Sequence, residues 1–287
     1  MTTLTTAADT TDTAVLSPGR GRGLGALPTL ARRRLELTAR TPREIVVPLV
    51  TPVLFAVVIA PALATTVGAF LPGVDYMTYV AIATVGLLVP LTMMFSGVSV
   101  IADRENGARR DLLAAPIPRQ LIVVGNLAVA LLICSMQVGV LLVASALRGA
   151  DYTWTVSGTG WFVATVALLG IGMYGVAETL ANRTPRIEEY IAVVPAIAIV
   201  PWFFAGSLFR IATLPVGLEW FARFLPLTHV MALMRYGLQG GNATGLHDIW
   251  GMTDVTTMAV LSLTVVAVFA VLMTAVSVRV FGRAAVR

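Results

Sequence analysis

Asp103, Arg104, Glu105 and Gly107 open a short charged stretch, IADRENGARRDLLAAPIPRQ, set between two long apolar runs. Acidic residues are stabilising at a helix N-terminus, where the dipole is positive. Leu112 and Leu113 give that helix a small apolar face, and Pro116 with Pro118 stops it ahead of Arg119. A charged helix with an apolar knob has the chemistry of a docking surface that enters a groove on a partner. The same residues also fit a solvated, basic linker between two spans. A second stretch, VPWFFAGSLFRIATLPVGLEWFARFLPLTHVMALMRYGL, repeats Leu214, Leu218, Phe221 and Leu225 at helical spacing, with Trp220 and Phe224 alongside. Its apolar part is too short to cross a bilayer and too apolar to float in solvent. An interfacial or re-entrant helical hairpin is expected there.

Neither stretch has the make-up of a catalytic centre. All 20 basic residues are Arg, so this chain offers no Walker A loop, which needs a Lys on the nucleotide phosphates. Cys134 is the only cysteine, which excludes an intrachain disulfide and a cysteine-rich metal site. His229 and His247, the only histidines, lie in the second stretch and just beyond it, near Asp248, and make a poor metal set. No nucleophile–base pair stands out that would signal a membrane enzyme.

These residues must be positioned by apolar spans. Of 287 residues 57% are hydrophobic and 12% charged, with mean hydropathy +0.86. Soluble domains carry roughly 25% charged residues, so the missing polar surface implies lipid contact. Six stretches have the length to cross about 30 Å of hydrocarbon, near 45–70, 77–101, 121–147, 159–181, 189–208 and 256–278. Pro48, Pro52 and Pro61 interrupt the first, Pro195 and Pro201 the fifth. The expected fold is an all-α membrane protein with six transmembrane helices. Residues 1–25, rich in Thr, Ala and Gly, are expected to form a disordered tail. From Leu24 to Arg40 an amphipathic helix is expected along the membrane interface, as a connecting element at 26–44, with Leu24, Leu27, Ala31 and Leu35 on its apolar side, widened by Leu30 and Leu37. Arg32, Arg33, Glu36 and Arg40 fall on the other side. The membrane domain then fills 45–287. Sixteen Arg lie in the tail, the 2–3 and 4–5 loops and the C-terminus, against four on the opposite side. Both termini are therefore expected in the cytoplasm.

The two stretches together resemble the ABC-2 family of ABC exporter permeases, nearest to its daunorubicin-type drug-resistance and nodulation-factor branch. Asp103, Arg104, Glu105, Gly107, Leu112, Leu113, Pro116 and Arg119 match the family pattern after span two. Gly206, Leu214, Pro215, Pro226, Leu227, Thr228 and Arg235 match the pattern before the last span. Ala205 stands where Ser is frequent and His229 where Tyr is common. The resemblance implies a permease that pairs with a second permease, a homodimer or a related chain. It implies a cytoplasmic ABC ATPase subunit resting on the 103–119 coupling helix, with the 26–44 helix touching it too. ATP and Mg would then sit on that partner, with no cofactor in this chain and no nucleic acid as partner. Localisation follows as the cell membrane, multi-pass. Such a subunit would export a hydrophobic or amphipathic compound, a drug or a lipid. Polysaccharide or glycolipid export shares the layout, and a non-transporting structural subunit is the alternative of another class.

Among single residues, Glu178 is the one ionisable group placed within a span. It lies about 28 Å along the helix from Thr159, so it is expected to reach the inner interface and pair with Arg183 or Arg186. Gln137, Asn126 and Ser145 in span three read as contacts between helices. Asn242 and Asn182 each begin a glycosylation-type triplet, which is common by chance.

Overall fold

The computed structural model describes residues 27–40, 42–54, 57–58, 61–62, 75–114 and 118–284. The 1–25 tail lies outside them, and so does much of the first expected span. The elements are α1 (Leu27–Arg40), α2 (Arg43–Leu54), α3 (Tyr76–Glu105), α4 (Ala108–Ala114), α5 (Arg119–Ala146) and α6 (Val156–Ala181). They continue with α7 (Ile187–Ala198), α8 (Val200–Phe204), a 3-10 turn (Ile211–Thr213), α9 (Val216–Phe224), α10 (Pro226–Leu238), α11 (Thr244–Trp250) and α12 (Val255–Ala284). No strand occurs among the described residues. Five described helices are long and apolar enough to cross a membrane: α3, α5, α6, the α7–α8 pair and α12. They coincide with the second to sixth expected spans. Of the first span, α2 and a few later residues are described.

Local chemistry sets the ends of these helices. The Asp75 carboxylate accepts the Met77 amide at 3.1 Å and the Thr78 hydroxyl, capping α3. Thr155 caps α6 by accepting the Gly158 amide at 3.0 Å. Asp254 does the same ahead of α12, accepting the Thr256 amide at 3.0 Å. Gly107, at φ 77°, turns the chain out of α3 into α4, a conformation that costs other residues a steric clash. The fifth span breaks at Ile199 because Pro201 has no amide hydrogen to return to the helix.

Helices α3 and α6 form the centre of the bundle, with α5, α7, α10 and α12 around them. In α3, 78% of the most apolar stretch is buried inside the protein, against 22% in α12, which turns most of its apolar surface outward. In a membrane such helices associate through close packing, because lipid is as apolar as leucine. Glycines make the approach possible. A Cβ on Gly175 of α6 would stand 2.6 Å from the Met273 backbone of α12. Gly158 of α6 and Gly237 of α10 face each other so closely that a Cβ on either would strike the other's carbonyl oxygen. Hydrogen bonds add to this packing. Tyr190 donates to the Met94 carbonyl at 2.6 Å, the Trp202 indole to the Ala83 carbonyl at 2.8 Å, and the Thr92 hydroxyl to Gln137 at 2.6 Å.

Helix α1 packs on α5, but only in part through the face its leucines predict. Leu30, Arg34 and Thr38, spaced four apart, turn toward the bundle, and Leu30 lies against Gly125. Leu35 and Leu37 are left exposed. The packed stripe is therefore partly polar, and Leu35 and Leu37 are turned away from the protein.

Candidate functional site

Two clusters of polar side chains lie at opposite ends of the bundle. Helix α3 has 30 residues, so about 45 Å separate its ends, enough to carry both beyond a hydrocarbon layer of about 30 Å.

At its C-terminal end, Arg104 reaches across to the end of α6. Its guanidinium donates to the carbonyls of Ala181 at 3.2 Å, Thr184 at 2.7 Å and Pro185 at 2.8 Å. These carbonyls lie at and just past the negative end of the helix dipole, where a cation is favoured. Arg109 of α4 donates to the Asn182 side chain at 2.9 Å and stacks over the Phe281 ring at 5.0 Å. Burial pulls the Arg109 guanidinium below its ordinary pKa, and the charge of Arg104 acts the same way while Glu178 opposes both. Asn182 donates in turn to Glu178 at 3.0 Å, and Tyr174 donates to the other carboxylate oxygen at 3.2 Å. Arg33 of α1 lies 3.9 Å from Asp103. The turn between α3 and α4 is thus tied to α1, α6 and α12.

Glu178 differs from its sequence expectation. It is 2% exposed and does not reach the solvated edge. The cations whose fields act on it are Arg109 and Arg34, whereas Arg183 and Arg186 are exposed and Arg186 pairs with Glu189 at 3.8 Å. Asn182 and Tyr174 meet Glu178 from one turn after and one turn before it along α6, which a simple distance along the helix does not anticipate.

Of the expected docking residues, Asp103 and Arg104 are drawn into this network. Glu105 is exposed and makes no hydrogen bond or ion pair among the described residues. Around Gly107 there is open space. Leu112 packs on the edge of the core, while Pro116 lies outside the described residues. Leu113 sits in α4 and Arg119 begins α5.

At the other end, the second motif brackets a cavity of about 130 Å³ between the start of α3, the 205–213 turn, α10 and α11. Gly206, at φ 75°, makes the turn, and Tyr79 of α3 donates its hydroxyl to the Gly206 carbonyl at 3.0 Å. Arg235 of α10 is 6% exposed, donates to the Ser207 carbonyl at 3.0 Å and lies 3.5 Å over the Tyr79 ring. Arg210 clasps Asp248 of α11 through two hydrogen bonds, at 3.0 and 2.5 Å. Bonding to Asp248 raises the Arg210 pKa. Leu214 packs on the core edge, Pro215 precedes α9, and Pro226 occupies the first turn of α10, followed by buried Leu227 and Thr228. Helix α9 leaves Trp220, Phe221 and Phe224 exposed, whereas α10 is buried against α6, α12 and α3. His229, also buried, lies 3.1 Å from the Ser262 hydroxyl and 3.0 Å from the Arg223 carbonyl.

Sequence reasoning did not single out Tyr79, Arg210, Arg109 or Tyr174, and it weighed Asp248 only as a poor metal ligand. Tyr174 bonds Glu178 one turn along its own helix, but the partners of Tyr79, Arg210 and Arg109 lie far away in the chain, as in the 127-residue separation of Tyr79 and Gly206, so no local spacing marks them. Residues 26–238, about three quarters of the chain, match the model of the family described as ABC-2 type transporter. No curated protein matches the chain.

Proposed function

This chain belongs to the ABC-2 type transporter family, and from that premise we propose that it is the permease of an ATP-driven exporter for hydrophobic or amphipathic compounds. Family membership makes it a multi-pass membrane protein and an ABC permease subunit rather than a catalytic ATPase domain. Energy enters from a separate cytoplasmic ATPase, which docks on the 103–119 turn with both termini on the same side of the membrane. Two permeases pair to complete the pathway.

The observation that carries this reading is the division of labour within the turn. Arg104 and Arg109 brace it against α6, while Glu105 and the space around Gly107 stay open to a partner. A push on Glu105 would be passed by a rigid lever to the ends of α6 and α7 instead of being lost in a soft loop. A second cavity of about 190 Å³, lined by Pro90, Leu169, Met173, Ile197 and Phe269, is almost wholly apolar and supports an apolar or amphipathic cargo. The α9–α10 segment serves as the re-entrant cap of the outer end, with its exposed aromatic residues in the headgroup layer.

The test is reconstitution of the purified chain in vesicles, with and without the ABC ATPase that co-purifies with it from membranes. Transport of an amphipathic fluorescent dye is expected only with that ATPase and ATP present. Equal transport by the permease alone would overturn the reading.

A further inference from the structure

The cavity beneath the 205–213 turn has a composition that packing alone does not explain. Arg235, 6% exposed, makes no ion pair among the described residues, and its Nε has no hydrogen-bond partner there. The Thr228 hydroxyl, on a residue only 2% exposed, has no partner either. Both residues line the same cavity. A buried guanidinium with no carboxylate in contact is costly, since only the Tyr79 ring and the more distant Asp248 charge offset its lost hydration. The one carboxylate lining the cavity, Asp248, is already held by Arg210 through both oxygens. What α10 contributes to the floor is a cation and, two turns earlier, a hydroxyl without a partner, the donor types that receive an oxyanion. Above the floor the walls are apolar, with Phe209, Ile211 and Met231, and Phe209 is 40% exposed at the rim. An apolar cavity of about 150 Å³ holds a benzene ring, so this one has room for a headgroup of similar size.

We propose that this cavity binds the anionic headgroup, a phosphate or carboxylate, of an amphipathic molecule whose tail leaves along Phe209 and Ile211. Arg235 supplies the charge, and its orientation is preset by the Tyr79 ring and the Ser207 carbonyl. Thr228 donates the second hydrogen bond. The inference rests on the cavity and not on the export reading, because binding requires neither an ATPase nor movement of the ligand.

The experiment titrates the purified full chain, in a neutral maltoside detergent, with dodecyl phosphate, dodecyl phosphocholine and inorganic phosphate. Tryptophan fluorescence and the shift in Tm are read for each. Dodecyl phosphate is expected to bind and raise Tm, with inorganic phosphate and the zwitterionic analogue each weaker by about tenfold or more. Arg235→Gln should weaken dodecyl phosphate by about tenfold, Arg235→Lys by less, and Thr228→Val by a few fold, roughly the worth of one neutral hydrogen bond. Should Arg235→Gln fail to fold, Thr228→Val decides, since removing an unpartnered hydroxyl leaves the fold intact. Binding of inorganic phosphate as tight as that of dodecyl phosphate would overturn the amphiphile. Equal binding of the phosphocholine, or unchanged binding in folded Thr228→Val, would overturn the anion site.

Discussion

At the residue scale, two neighbours in one turn have opposite duties. Arg104 holds three carbonyls at the end of α6, and Glu105 holds nothing among the described residues. Arg104→Ala should therefore cost about 1–2 kcal/mol, the lower part of the range for charged hydrogen bonds because the group is partly exposed. Thermal unfolding of the purified chain would register it as a fall in Tm. Glu105→Ala should leave Tm unchanged and lower ATP-driven export by about tenfold or more, as expected for an energetic anchor of an interface. Full export by a folded Glu105→Ala chain would remove Glu105 from the docking surface. The sequence singled out both residues through their place in the motif. It did not say that one braces and the other is exposed, because that depends on carbonyls 77 to 81 positions away.

At the scale of elements, α6 is the helix on which the others close, and its glycines decide how near they come. Gly175→Val would drive a branched side chain into the Met273 backbone, which cannot swing aside. A loss of about 1–3 kcal/mol or more is expected, the usual cost of overpacking, read as a clear drop in Tm or in folded yield. Gly139 of α5 provides the contrasting case, since nothing lies within 4 Å of a Cβ there. Gly139→Ala should be neutral or raise stability by up to about 1 kcal/mol, from helix propensity alone. Equal effects at the two positions would mean that close approach is not what Gly175 provides. Hydropathy located both helices, but it is blind to which glycine meets a backbone and which meets nothing.

For the whole molecule, the two polar clusters stand at opposite ends of a bundle longer than a bilayer is thick. From the Arg bias we propose that the 103–119 end faces the cytoplasm. Cysteines introduced as Ala108→Cys and Ala243→Cys report on this directly, because native Cys134 is buried and gives little background. Position 108 should resist a membrane-impermeant maleimide in intact cells, and position 243 should react. The reverse pattern would invert the topology. Recovery of the ATPase with the tagged chain should also fall when Glu105 and Leu112 are both replaced. Retention of the ATPase would place its docking surface elsewhere.

The sequence by itself determined the all-helical class, five of the spans and the two stretches that carry the family pattern. Those properties are local. Lipid offers no hydrogen-bond partners, so a long apolar run has to become a helix whatever its neighbours are. The absence of Lys is local in the same sense, and it sends the search for ATP chemistry to another chain. Only the tertiary structure decided that Glu178 is buried within reach of the Arg109 and Arg34 charges, that α1 packs through Leu30, Arg34 and Thr38, and that Arg235 lies on Tyr79 while Thr228 is left unpartnered. Each of these follows from which helix faces meet. In a lipid-soluble bundle that choice is made by small residues and a few polar contacts, not by the hydropathy that marks the spans.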